Sequence, residues 1–140
     1  MKNRYIDVSQ EAGKAFIQRN IQGSFTMLNL LRFASIADYK AARHLAPTAS
    51  ITGKKAYDLY IESALPILEE AGSSILFQGK GGSFTIGPTD EYWDLVLLVR
   101  HRSVSDFLAF AQNKAYLAIA GHRTAALEDS RLLAIESNHT

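Results

Sequence analysis

Hydrophobic positions recur along this chain with two periods, one helical and one extended, and their order predicts the fold. Ser9 precedes Ala12, Phe16, Ile17 and Ile21 at helical spacing, which predicts an amphipathic helix over 10–21 with Ser9 as its N-cap and Gly23 as its stop. FTMLNLLRF at 25–33 reads as a first strand. Residues 54–71 put Tyr57, Tyr60, Ile61, Ala64, Leu65, Leu68 and Ala71 on one helical stripe ended by Gly72, with a kink expected at Pro66. Segments 74–79 and 83–87 are strand-like on either side of Gly81-Gly82, as a long bent strand or a small hairpin. A strand over 92–101, a short helix at 104–112, a helix at 114–128 and a final strand at 130–136 complete the pattern.

The same unit occurs twice. Residues 27–44 lie over 95–112 without a gap, pairing Arg32 with Arg100, Ser35 with Ser103, Asp38 with Asp106 and Tyr39 with Phe107. Each copy reads as a strand entering a short helix, with Ser35 or Ser103 as cap and Asp38 or Asp106 in the first turn. The first short helix ends near Pro47; Lys55-Ala56-Tyr57 recurs as Lys114-Ala115-Tyr116, and Leu68-Glu69-Glu70 as Leu127-Glu128-Asp129, so nine extra residues fall in the first copy, in a loop at about 45–53.

The order β-α-β-β-α-β defines an α+β, ferredoxin-like antiparallel sheet with helices on one face, plus an N-terminal helix. The chain is a single domain over 1–140, with a helical extension at 1–22 and a core at 25–136. A solvated second sheet face would require strands that alternate apolar with polar residues. Both alternating sets of 95–99 are aliphatic, and within 27–33 only Asn29 and Arg32 interrupt. The second face therefore calls for a cover, and a second copy packed sheet to sheet, an isologous homodimer, supplies it.

Composition narrows the function classes. The 140 residues carry 15 basic and 14 acidic side chains, a net charge of +1, so no broad field favours nucleic acid. Cysteine is absent, which excludes thiol catalysis and cysteine metal ligation. The N-terminal MKNRYIDVSQEAGKAF has no apolar run of signal-peptide length, and LVLLV at 95–99 is far too short for a bilayer, so a cytoplasmic, membrane-free protein is expected. The histidines His44, His101, His122 and His139 lack ligand spacing, and no metal site is expected. GKGGS at 79–83 lacks the ending of a phosphate loop, and no G-x-S-x-G elbow occurs.

MLNLLRF at 27–33, AYDLY at 56–60, Pro66, Trp93-Asp94 and HRTAALEDSRL at 122–132 resemble the family called domain of unknown function 1330, in the ferredoxin-like dimeric α/β-barrel superfamily. The resemblance spans roughly 25–136. It implies the fold and the dimer and supplies no established reaction. Two departures from the family pattern stand out: a histidine, His101, at a strand end, and Ser73 in place of the second glycine of a Gly-Gly pair.

Candidate chemistry lies between helices and sheet, where this fold commonly forms a pocket. Asn29 is a lone amide in an aliphatic strand, either a donor to a substrate carbonyl or oxyanion or a structural amide satisfied by backbone. His122 can exchange a proton near neutrality, or it packs at a helix surface. Arg123 anchors a carboxylate or pairs with Asp94, Glu128 or Asp129. Tyr57, Tyr60, Trp93 and Tyr116 line an aromatic, substrate-binding pocket or pack helix to sheet. Arg32, Arg100 and His101, near strand ends, suit dimer contacts as well as catalysis. Two functions fit these residues: a cofactor-independent enzyme performing proton transfer, isomerisation or oxygenation on a small apolar or carboxylate-bearing substrate, with Asn29, His122 and Arg123 as catalytic residues, or a non-catalytic dimeric ligand-binding or interaction protein.

Overall fold

The computed structural model describes residues 4–137. Four strands, β1 (Phe25–Phe33), β2 (Ser74–Lys80), β3 (Leu95–His101) and β4 (Leu127–Glu136), form one antiparallel sheet in the order β2-β3-β1-β4. The helices are α1 (Gln10–Gln18), α2 (Gly53–Glu70), α3 (Val104–Ala111), α4 (Lys114–Ile119) and α5 (Gly121–Ala126). With β1 and β3 central and β2 and β4 at the edges, this is the ferredoxin-like arrangement, extended by α1.

The caps explain where the helices begin. Ser9 Oγ accepts from Ala12 N at α1, Thr52 Oγ1 from Lys55 N at α2, Ser103 Oγ from Asp106 N at α3, and Asn113 Oδ1 from Ala115 N and Tyr116 N at α4. Each bond satisfies an amide that the first helical turn leaves unpaired, a contribution of about 1 kcal/mol. Helix α1 is shorter than its pattern, ending at Gln18 before a left-handed Asn20. Helix α2 continues unbroken through Pro66, which sits on its exposed side where water can solvate the carbonyl that proline leaves unbonded. Gly72, at φ +83, closes α2.

Three expectations are corrected. No α-helix follows β1, and Ser35 caps nothing; residues 34–52 form an irregular connection with one 3₁₀ turn at Arg43–Leu45. The amides a helix there would use are drawn elsewhere, Ala34 N to Ala126 O, Ala37 N to Ile51 O and Asp38 N to Ala125 O. Residues 83–87 form no strand and make one isolated bridge, Ser83 to Tyr92, so β3 begins at Leu95 rather than 92. The segment 114–128 is two short helices, and Leu127-Glu128-Asp129 already belongs to β4.

Side chains on a strand alternate between faces, so the register sorts them. Leu31, Leu97 and Val99 join Tyr57, Tyr60, Ala64, Leu68, Phe110 and Ala126 in the main core, while Phe25, Met27 and Ala134 pack with Phe16 of α1 and Phe107 of α3. Full burial of a side chain such as Leu31 contributes roughly 1.5–3 kcal/mol. Leu28, Leu30, Val96, Leu98, Leu133 and Ile135 lie on the opposite face, where Leu133 is 55% and Ile135 39% exposed. The helices thus cover one face, and the other is apolar. No helix among the described residues is long and apolar enough to cross a membrane.

Candidate functional site

Helix α2 and the α4–α5 pair bring an aromatic layer together over the sheet. The hydroxyls of Tyr60 and Tyr116 are 2.9 Å apart. Rings of Tyr57 and Tyr60 lie 5.2 Å apart, those of Phe33 and Tyr57 5.6 Å, and those of Phe110 and Tyr116 4.4 Å. Burial pushes the Tyr57 and Tyr60 hydroxyls well above the ordinary phenol range, partly offset by the nearby positive charge of Arg123. Three expected substrate-binding tyrosines and Arg123 therefore stand together. Arg123 Nη1 donates to the Ile6 carbonyl at 2.8 Å, whereas Asp129 is engaged by Arg32 and Arg131, and Asp94 accepts from Phe33 N.

His122, on α5, meets the irregular segment after β1. Its Nδ1 lies 2.7 Å from the hydroxyl of Tyr39, and the rings are edge-on at 5.5 Å. Burial, and then the positive charge of His44, lower the His122 pKa, and burial raises that of Tyr39. Both groups are thus neutral at pH 7. Tyr39 also lines a cleft of about 400 Å³ with Asp38, Lys40, Arg43 and Ala46. Sequence reasoning missed Tyr39, Lys40 and Arg43, although the repeat carries a signal: Tyr39 matches Phe107, so the hydroxyl is a polar exception between the copies.

Trp93 stands apart from the tyrosines, at the end of the sheet. It is 2% exposed, its Nε1 donates to Glu91, and the guanidinium of Arg131 lies 4.9 Å from its ring centre. Asp129 centres the network there. Burial works against its charge, but hydrogen bonds from the Tyr5 amide, Arg131 and the Ser130 amide hold its pKa below the usual carboxylate range. A cleft of about 560 Å³ opens beside this network, lined by Arg32, Phe33, Ser35, Asp90, Tyr92 and Glu128.

Asn29 faces the helices midway between the two cores and its Nδ2 donates to the Met27 carbonyl at 3.3 Å. Neither cleft is lined by Asn29, His122 or Arg123. His101 is 2% exposed on the helix side of the sheet, between Phe25 and Phe107. Its Nδ1 is 2.8 Å from Ser73 Oγ, and burial lowers its pKa to about 4. Ser73 and His101, both singled out in the sequence, are therefore bonded to each other. His139 lies outside the described residues.

Fold and site together define a small ferredoxin-like α+β protein with one cleft at the end of its sheet and another in the segment after β1. Two crystal structures of RPA0582, a protein of unknown function from Rhodopseudomonas palustris, match nearly throughout. The methylated form gives 32% identity and a TM-score of 0.85 over 97% of this chain and 96% of that one. The other gives 32% and 0.83 over 99% and 100%. The chain belongs to the family of RPA0582. A hypothetical Arabidopsis thaliana protein, 9% identical at a TM-score of 0.50 over 86% of this chain and 93% of that one, shares the fold alone. No family model matches the sequence, and no curated protein matches it.

Proposed function

We propose that this chain is a homodimeric α/β-barrel protein of the domain of unknown function 1330 type, acting in the cytoplasm as a cofactor-independent enzyme that moves a proton on a small carboxylate-bearing substrate. The observation carrying this reading is the 2.7 Å contact between Tyr39 Oη and His122 Nδ1 at the wall of a cleft that also bears Lys40 and Arg43. With His122 neutral and protonated on Nε2, Tyr39 donates to Nδ1. A carbon-bound proton next to a substrate carbonyl passes to Tyr39 Oη as the phenolic proton passes to His122 Nδ1. The products are an enolate and an imidazolium, and return of the proton to another carbon completes an isomerisation. Lys40 and Arg43 suit the substrate carboxylate and the developing enolate oxygen. In this reading Arg123, with Tyr57, Tyr60 and Tyr116, positions the helices behind the cleft, while Asn29 and Trp93 hold the sheet. The apolar sheet face supports the dimer.

A non-catalytic ligand-binding protein is the second reading, favoured by the engagement of both Asn29 and Arg123 with backbone carbonyls. Solvent deuterium exchange into small 2-oxo acids, followed by proton NMR, separates the two. Exchange that His122→Gln and Tyr39→Phe abolish supports the enzyme. Binding of the same acids without exchange supports the second reading, and neither exchange nor binding overturns both.

A further inference from the structure

The two copies of the repeat diverge where β1 ends. In the second copy Ser103 caps α3; in the first the helix is missing, and Ser35 is released to line the larger cleft with Arg32. Arg32 is held but under-used. Its side chain is 16% exposed, and its guanidinium carbon lies 5.0 Å from the ring centre of Tyr92 and 6.0 Å from that of Trp93. Its Nη2 is 3.8 Å from Asp129 Oδ2, a long contact. Asp129 Oδ1 is already occupied by Tyr5 N, Ser130 N and Arg131 Nη1. Arg32 Nε is buried and has no hydrogen-bond partner among the described residues. A guanidinium has five donors in a planar fork, and Arg32 lines this cleft, so its outer N–H groups suit a planar anion there.

The rest of the lining selects which anion. Glu128 brings negative charge to the same cleft, half exposed and 3.9 Å from Arg4. A polyanion would meet repulsion there; a molecule with one carboxylate and one ammonium group matches both ends. Phe33 and Tyr92 add aromatic wall for an apolar side group.

We propose that this cleft binds a small zwitterion of the amino-acid type, its carboxylate on Arg32 and Ser35 and its ammonium toward Glu128. The site shares no lining residue with the Tyr39 cleft and does not depend on the proton-transfer reading.

Isothermal titration of the intact protein with L-phenylalanine, 3-phenylpropionate and 2-phenylethylamine tests it. Phenylalanine is expected to bind about tenfold more tightly than either analogue lacking one charge. Arg32→Met should abolish binding, Ser35→Ala should weaken it severalfold, and Glu128→Gln should narrow the gap between phenylalanine and 3-phenylpropionate. Ser35 and Glu128 are exposed, so these two variants keep the test decisive if Arg32→Met does not fold. The proposal is overturned if phenylalanine does not bind, if 3-phenylpropionate binds equally well, or if Ser35→Ala and Glu128→Gln change nothing. Loss of binding in Lys40→Met or Arg43→Met would assign the ligand to the other cleft and overturn it as well.

Discussion

The hydroxyl of Tyr39 and Nδ1 of His122 approach to 2.7 Å across 83 residues of chain, joining the irregular segment after β1 to helix α5. Burial and the charge of His44 disfavour the imidazolium at this position. His44→Gln removes the second cause, so the His122 pKa should rise toward its ordinary value. An NMR titration of the imidazole protons follows it, and an unchanged or lower value contradicts the expectation.

Buried His101 makes the fold sensitive to mild acid. Its folded pKa of about 4 lies below the ordinary histidine value of 6.5, so between these values the unfolded chain binds the extra proton. Stability from this group is fully present above pH 6.5 and is lost as pH falls toward 4. Urea unfolding of wild type and His101→Gln at pH 7 and pH 5 should show a smaller loss in the variant; equal losses would remove His101 as the cause.

Ser73 and His101 form one buried pair, and removing one partner strands the other. Ser73→Ala should destabilise the protein by about 1–3 kcal/mol. If Ser73 bears on stability only through this bond, Ser73→Ala added to His101→Phe should cost much less, and a double-mutant cycle measures the coupling.

The repeat also supplies a matched pair of substitutions. Ser103→Ala should cost about 1 kcal/mol, because it uncaps α3. Ser35→Ala at the equivalent position should stay within about 0.5 kcal/mol, since Ser35 is exposed and caps no helix. Thermal unfolding of both variants checks the contrast, and equal losses would indicate a cap at Ser35 after all.

Gly53 opens α2 where three segments converge. A Cβ there would overlap Ala34 O and lie 2.5 Å from Ala126 O, and backbone cannot yield as a flexible side chain can. Gly53→Ala should therefore cost about 3 kcal/mol or more. Gly82→Ala, with nothing within 4 Å, provides the control. Comparable midpoints for the two variants would refute the packing argument.

On the apolar sheet face, Leu133→Asp should convert a dimer at micromolar concentration into a monomer, as read by light scattering. A monomeric wild type would end the dimer proposal.

Local information in the sequence determined β1, the caps at Ser9 and Ser103 and the layered order, because alternation, helical period and capping act within a few residues. The doubled unit implied the sheet for the same reason: Arg32 and Arg100 are the penultimate residues of β1 and β3, which pair as neighbours. Tertiary structure decided the path of the chain beyond β1. Ser35 and Asp38 promise the helix that Ser103 and Asp106 deliver, yet carbonyls of Ala125, Ala126 and Ile51 take the amides, and those partners lie far away in sequence. The candidate sites arise the same way. Tyr39 meets His122, Ser73 meets His101 and Arg32 meets Asp129 only after the chain has packed. No period along the sequence encodes such contacts, because each depends on where two distant backbones have already been placed.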